Sequence, residues 1–285
     1  MTNCDFLNIG FIGFGLIGGS IAKAIKAAHP EYHIIVESRS REPLIAALND
    51  KVIDDICTCT DDNFSKCDYI FLCTPVITIT KYMSALKPFI KPGCIITDVG
   101  SVKGNIHKAV AELGLNKNFI GGHPMTGSEK TGYANSDSSY LKDAYYILTP
   151  TEEVPAEYTS WLKNFIITAG SHCEIMDYKT HDNVTAAISH CPHIISASLI
   201  NTVAKLDDDG KYGRLAAGGL KDITRISSSS PEMWQNICLS NPDAIVSFLN
   251  RYIATLTNAK EAVISGDSDK LMQFFESAKK YRDKL

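Results

Sequence analysis

Asn8-Ile9-Gly10-Phe11-Ile12-Gly13-Phe14-Gly15-Leu16-Ile17-Gly18-Gly19-Ser20 is the stretch that decides the fold class. Leu7 to Ile12 reads as a β-strand and Leu16 to Ala27 as a helix, with a GxGxxG at Gly13, Gly15 and Gly18 between them. Gly13 permits the tight turn, Gly15 lets the backbone approach a pyrophosphate, and Gly18 lets the helix pack on the strand. The phosphates then sit at the helix N-terminus, beside Leu16 and Ile17, where free N–H groups and the helix dipole favour anions. Strand, loop and helix together predict a dinucleotide-binding α/β unit.

The pattern continues outward from there. His33 to Val36 reads as a second strand and Arg41 to Asn49 as a second helix. Asp68 to Cys73 and Cys94 to Asp98 are apolar runs of the kind buried on both faces of a parallel sheet. Phe119 to Gly121 and Tyr145 to Leu148 are further strands, followed by a helix at Ala156 to Ala169 and an edge strand at Cys173 to Met176. The alternation predicts a Rossmann-type, mostly parallel sheet domain over residues 1–175. Strand-like runs then vanish, and helices are expected near 178–206, 212–228, 242–265 and 268–284. Residues 176–285 therefore read as an all-helical C-terminal domain. Its last helix carries Leu271, Phe274, Phe275, Ala278 and Tyr281 at helical spacing. Such a stripe is intrachain core or a subunit contact. Roughly 110 residues is few for an independent core, which favours a homodimer through this domain.

The end of the second strand should select the dinucleotide. NAD enzymes place an acidic residue ~20 positions beyond the glycines, on the ribose 2′-OH. Here that position holds Ser38, followed by Arg39, Ser40 and Arg41. A small hydroxyl with guanidiniums suits a 2′-phosphate, so NADP is favoured and NAD is the alternative. Glu37 becomes the NAD acceptor if the strand is one residue shorter. The plainer reading of Ser40 is a cap on the next helix, with the arginines solvated. Thr74 and Pro75, after the run Asp68 to Cys73, complete the cofactor set.

Composition excludes several classes. The 285 residues are 45% hydrophobic, and 28 basic side chains stand against 32 acidic ones, a net charge of -4. That balance argues against a nucleic-acid binder, and no apolar run reaches the ~18–20 residues of a membrane span. The start, MTNCDFLNIGFIG, lacks a basic n-region, so no signal peptide is expected. Nine cysteines, an odd number without an export signal, read as reduced cytoplasmic thiols. Cys57-Thr58-Cys59 lacks the spacing of a zinc or redox motif.

Further segments look too specific for scaffolding. They are Asp98-Val99-Gly100-Ser101-Val102-Lys103-Gly104, Gly121-Gly122-His123-Pro124-Met125-Thr126-Gly127-Ser128-Glu129-Lys130, His181-Asp182, and Ser189-His190-Cys191-Pro192-His193. Gly218-Gly219-Leu220-Lys221-Asp222-Ile223-Thr224-Arg225 follows, with Trp234 nine residues after the arginine. With these segments the chain resembles the prephenate dehydrogenase family, arogenate dehydrogenases included, over essentially its whole length. The resemblance implies oxidative decarboxylation of prephenate to 4-hydroxyphenylpyruvate in tyrosine biosynthesis, with hydride passing to NAD(P)+.

It also implies roles. His123 matches the histidine that hydrogen-bonds the C4 hydroxyl of prephenate, and an imidazole can take that proton as the C–H bond breaks. Ser101 is a second partner at the reacting end, although a serine opening a helix is also an ordinary N-cap. Arg225 binds a prephenate carboxylate through its guanidinium fork, and Lys221 adds positive charge. Asp222 pairs with one of these cations or gates the entrance, while the alternative is a solvated helix face. Glu129 is a polar or gating residue. His193 lies beside the substrate side chain, where a donor suits the pyruvyl oxygens of prephenate and a carboxylate would better suit the ammonium of arogenate. Trp234 closes a wall of the site or is simply core. Zinc on His190 and His193 is not expected, since a third ligand is missing. The rivals are a β-hydroxyacid dehydrogenase-type enzyme, whose chemistry centres on a helical lysine, and a non-catalytic nucleotide sensor.

Overall fold

A computed structural model describes residues 6–57, 60–128 and 130–285, so Cys4, Cys59 and Glu129 lie outside the described residues. Among the described residues, strands β1 (Asn8–Ile12), β2 (His33–Glu37), β3 (Asp55–Cys57), β4 (Tyr69–Leu72), β5 (Ile95–Asp98), β6 (Phe119–Pro124), β7 (Tyr145–Pro150) and β8 (His172–Ile175) form one sheet. Its order is β3-β2-β1-β4-β5-β6-β7-β8, and every neighbouring pair is parallel except β6–β7. The connections hold α1 (Leu16–Ala28), α2 (Glu42–Asn49), α3 (Val76–Leu86), α4 (Gly104–Leu113) and α5 (Ala156–Thr168). This is the Rossmann-type arrangement, with the strand order reversing beside β1.

The strands are apolar on both faces because both are covered. Ile9, Phe11, Ile34, Val36, Phe71 and Ile95 enter one core, shared with α1, α2 and α5. Ile12, Ile35, Ile70, Leu72 and Ile96 enter the other, shared with α3 and α4. The two-residue period of a strand sorts the side chains, and Phe11 stacks on Phe71 of the next strand at 5.0 Å between ring centroids. β3 escapes the sequence reading because Asp55-Ile56-Cys57 is too short and too polar to register as an apolar run.

The remaining helices are α6 (Tyr178–Thr185), α7 (Cys191–Leu206), α8 (Lys211–Leu215), α9 (Gly218–Thr224), α10 (Pro231–Ser240), α11 (Pro242–Ser265) and α12 (Ser268–Arg282). The single helix expected over 178–206 is interrupted by a π-helical turn at Ala186–His190. Pro192 supplies the cause: it has no N–H to return to the Ile188 carbonyl, and its ring crowds that oxygen. The helix expected over 212–228 is also broken, and α9 starts anew at Gly218-Gly219. By compactness the chain divides into two units, Met1–Thr185 with Ser228–Asn241, and Ala186–Ser227 with Pro242–Leu285. In the first, α6 packs on α4 and α10 on α3. Among the described residues, no helix is long and apolar enough to cross a membrane.

Candidate active site

The glycine loop, Thr74, Ser101 and His123 follow or end β1, β4, β5 and β6, four parallel neighbours, and so share the carboxyl edge of the sheet. Ligands bind at that edge in open α/β sheets. Gly13 has φ +83°, and a Cβ there would lie 2.8 Å from the Cys73 carbonyl oxygen, so a side chain is excluded. At Gly15 a Cβ would meet nothing within 4 Å, which leaves the backbone open to a ligand. Gly18 closes on the Gly13 carbonyl, 2.9 Å from where its Cβ would be. Among the described residues no side chain caps α1, so its first N–H groups are available to an anion. Thr74 lies against Gly13, and its hydroxyl is buried with no partner among the described residues. Pro75 begins α3 as its N-cap residue. These features fit the diphosphate of a dinucleotide.

Gly13 donates its N–H to the Glu37 carbonyl at 2.8 Å, tying the loop to the end of β2. The strand runs through Glu37, whose side chain is buried. Its carboxylate accepts from Thr60 Oγ1 at 3.3 Å and from the Tyr82 hydroxyl, and burial pushes its pKa upward. Ser38 is half-buried, whereas Arg39 and Arg41 are exposed. Ser40 does not cap α2; that position falls to Arg41, without a side-chain bond.

A buried polar cluster organises the reacting edge. Asp98, at the end of β5, accepts through Oδ2 from the Gly100 N–H at 2.8 Å and from Lys103 Nζ. Its Oδ1 accepts from the Gly122 N–H at 3.2 Å. One carboxylate therefore holds the amides that immediately precede Ser101 and His123. Lys103 is completely buried, which drives its pKa down while the Asp98 charge opposes the fall. A Cβ on Gly122 would strike the Asp98 carbonyl oxygen, so the strand carrying His123 can approach β5 only through glycine. His123 is 9% exposed, and its Nδ1 lies 2.8 Å from His181 Nε2. His181 Nδ1 lies 2.8 Å from Asp182 Oδ1. Asp182 also accepts from the N–H groups of Lys103 and Gly104, at 2.8 and 2.7 Å, and so caps α4. Ser101 consequently is not the helix cap.

In the second unit α7, which carries His193, packs on α9, which carries Lys221 and Asp222 and leads into Arg225. Ser196 Oγ donates to the Ile223 carbonyl at 3.1 Å and pins these helices together. Lys221, Asp222 and Arg225 are exposed. His193 donates Nδ1–H to the Ser189 carbonyl at 3.0 Å, and burial lowers its pKa. A neutral His193 therefore offers Nε2 as an acceptor and becomes a second donor only on protonation. Trp234 is half-buried on α10, in the first unit.

Sequence reading assigned no role to Asp98, Lys103, His107, His181 or Asp182. The available signal was charge inside strand-end runs that are otherwise apolar or glycine-rich, as in Ile95-Ile96-Thr97-Asp98-Val99-Gly100-Ser101-Val102-Lys103. Ionic groups in such a setting are buried only when paired.

A dinucleotide cradle on the same sheet edge as a buried histidine is the framework of a nicotinamide-dependent dehydrogenase. Residues 21–175 match the family model described as "Prephenate dehydrogenase, nucleotide-binding domain", and residues 177–277 match "Prephenate dehydrogenase, dimerization domain". The chain belongs to the prephenate dehydrogenase family and is a nicotinamide-dependent oxidoreductase. It is 38% identical to the prephenate dehydrogenase of Bacillus subtilis over 276 residues, 96% of this chain and 74% of that one. The solved prephenate dehydrogenase of A. aeolicus, in complex with hydroxyphenyl propionate and NAD+, superposes with TM-score 0.90 at 29% identity, covering 98% of each chain. Synechocystis arogenate dehydrogenase gives 0.88 at 29% identity, covering 98% of this chain and 99% of that one.

Proposed function

We propose that this chain oxidatively decarboxylates prephenate to 4-hydroxyphenylpyruvate, with His123 and Ser101 at the reacting end. The observation that carries the assignment of residues is the Asp98 carboxylate, which holds the amides before both Ser101 and His123. A dinucleotide held at the glycine loop of Gly13, Gly15 and Gly18 would supply, through its nicotinamide, the acceptor for the hydride from C4 of the substrate. His123 accepts the C4 hydroxyl proton as carbonyl character develops there, and Ser101 hydrogen-bonds the same oxygen. Loss of CO2 from C1 aromatises the ring, and the proton held by His123 returns to the phenolate oxygen. Arg225 binds a carboxylate of the substrate as a bidentate fork, with Lys221 adding charge. Asp222 pairs with one of these cations or gates the entrance, and Trp234 closes a wall on the substrate side. The nucleotide domain is residues 1–175, and residues 176–285 bind substrate and form the dimer.

Arogenate is the second reading, and His193 supports it. A neutral ring with Nδ1–H committed to Ser189 offers an acceptor, which suits an ammonium better than pyruvyl oxygens. On the cofactor, Arg39 and Arg41 favour NADP+, as read from sequence. The buried Glu37 at the last position of β2 supports NAD+, because a carboxylate there repels a 2′-phosphate. We take NAD+ as the preferred partner. Exposed Ile253, Leu256, Val263, Ile264, Phe275 and Tyr281 on α11 and α12 support a homodimer. Cys67, Cys73, Cys94, Cys173 and Cys238 are free thiols, in keeping with a cytoplasmic enzyme.

The test is a two-by-two assay of prephenate and arogenate with NAD+ and NADP+, on the wild type and on His123→Asn. Turnover of prephenate with NAD+ is expected, and His123→Asn should lose about 10²–10⁴-fold in kcat while still binding dinucleotide. Full activity in His123→Asn would overturn the assignment of the base.

A further inference from the structure

His181 and Asp182 stand behind the reacting histidine, and the directions of their hydrogen bonds can be worked out in order. Both Asp182 oxygens already accept from backbone donors, Oδ1 from the Lys103 N–H and Oδ2 from the Gly104 N–H. A carboxylate so engaged has only an acceptor role left, so His181 Nδ1, at 2.8 Å from Oδ1, is the donor. A neutral His181 then carries its lone pair on Nε2. Opposite an uncharged His181, His123 Nδ1 at 2.8 Å is the atom that supplies the proton of that bond. The remaining ring nitrogen of His123, Nε2, is left unprotonated.

We propose that His181 and Asp182 are a positioning pair that fixes His123 in the tautomer with its proton on Nδ1, so that Nε2 meets the substrate hydroxyl as an acceptor. The inference rests on His123 being the base. Its logic is general: which nitrogen of a histidine can act is set by the hydrogen bond that the other makes. The pair is rigid, since His181 is completely buried and its ring packs against His123 with 5.0 Å between centroids. Asp182 performs two tasks with one carboxylate. By capping α4 it leaves the Ser101 hydroxyl uncommitted to the helix, and by holding His181 it orients the base. When His123 accepts a proton, the new charge is shared through the Nδ1–H bond toward His181 and Asp182. Among the described residues, the other ionisable groups of this cluster include Asp98 on β5, Lys103 and His107 at the start and middle of α4, Cys73 after β4, Tyr146 on β7 and Tyr178 on α6.

Two measurements test this. In the 15N-histidine NMR spectrum of the wild type, assigned by comparison with His123→Asn, a pyrrole-type Nδ1 and a pyridine-type Nε2 are expected for His123 above pH 8. The reverse assignment overturns the proposal. Kinetically, His181→Leu removes the acceptor, whereas His181→Gln can still accept from His123 Nδ1 through its amide oxygen. His181→Leu should lower kcat about 100-fold and displace the acid limb of the kcat–pH profile, with NAD+ affinity unchanged. His181→Gln should recover at least about tenfold of that loss and keep the wild-type limb. Equal impairment of the two variants, or His181→Leu within about twofold of wild type, overturns it. Inactivity of the wild type toward both substrates would instead count against the assigned reaction, because the tautomer assay needs no turnover.

Discussion

His107 makes the acid stability of the sheet domain predictable. Its ring is 8% exposed, stacked on Tyr178 at 4.6 Å between centroids, with Nε2 2.9 Å from Thr149 Oγ1. Burial, reinforced by the nearby Lys103 charge, pushes its pKa from 6.5 down to about 4. Between those values the unfolded chain binds the proton and the folded one does not, so stability is full above pH 6.5 and is lost as pH falls toward 4. Every tenfold difference in proton affinity between the folded and unfolded chain is worth ~1.4 kcal/mol. This one residue should therefore remove about 2 kcal/mol by pH 5 and about 3 kcal/mol by pH 4. His107→Gln keeps an amide to face Thr149 and cannot ionise. Urea unfolding followed from pH 7 to pH 4 should show the variant losing about 3 kcal/mol less than wild type across that span. Parallel stability–pH curves for the two proteins would refute the reasoning.

Lys103→Met should destabilise the protein by about 3–5 kcal/mol, because it strands the buried Asp98 carboxylate. The double variant Asp98→Asn, Lys103→Met should recover part of that loss in denaturant titrations, and an equal loss would rule the pair out as its cause. Arg225→Lys should raise the KM for the dianionic substrate about 10- to 100-fold, the equivalent of ~1.5–3 kcal/mol for a bidentate charged bond. Its NAD+ affinity should not change, and steady-state kinetics showing a loss confined to kcat would contradict carboxylate binding.

Local pattern carried most of the fold. The glycine loop, the two-sided apolar strands and the change to helical periodicity after β8 were legible because each is a property of a few adjacent residues. β3 was not, since its pairing with β2 is all that makes three residues a strand. The π turn before Pro192 was missed because helical periodicity continues through it. At the candidate site, the motifs around His123 and Ser101 single these two residues out. The cluster that holds them could not be read, because Asp182 reaches Lys103 across 79 residues and His181 reaches His123 across 58. Glu37 shows the intermediate case. Counting from the glycines placed the selecting position at Ser38, whereas the strand ends at Glu37, one residue earlier in the chain.

The cap on α4 ties readiness to the length of chain made. Every strand of the sheet is available once residue 175 has left the ribosome, and the dinucleotide cradle with it. The first turn of α4 still lacks its carboxylate at that moment, and His123 lacks its neighbour, until α6 emerges and docks. A fragment ending at the strand–helix boundary would thus hold cofactor without an oriented base. The contacts that hold His123 and the start of α4 arrive only after the whole sheet has been made.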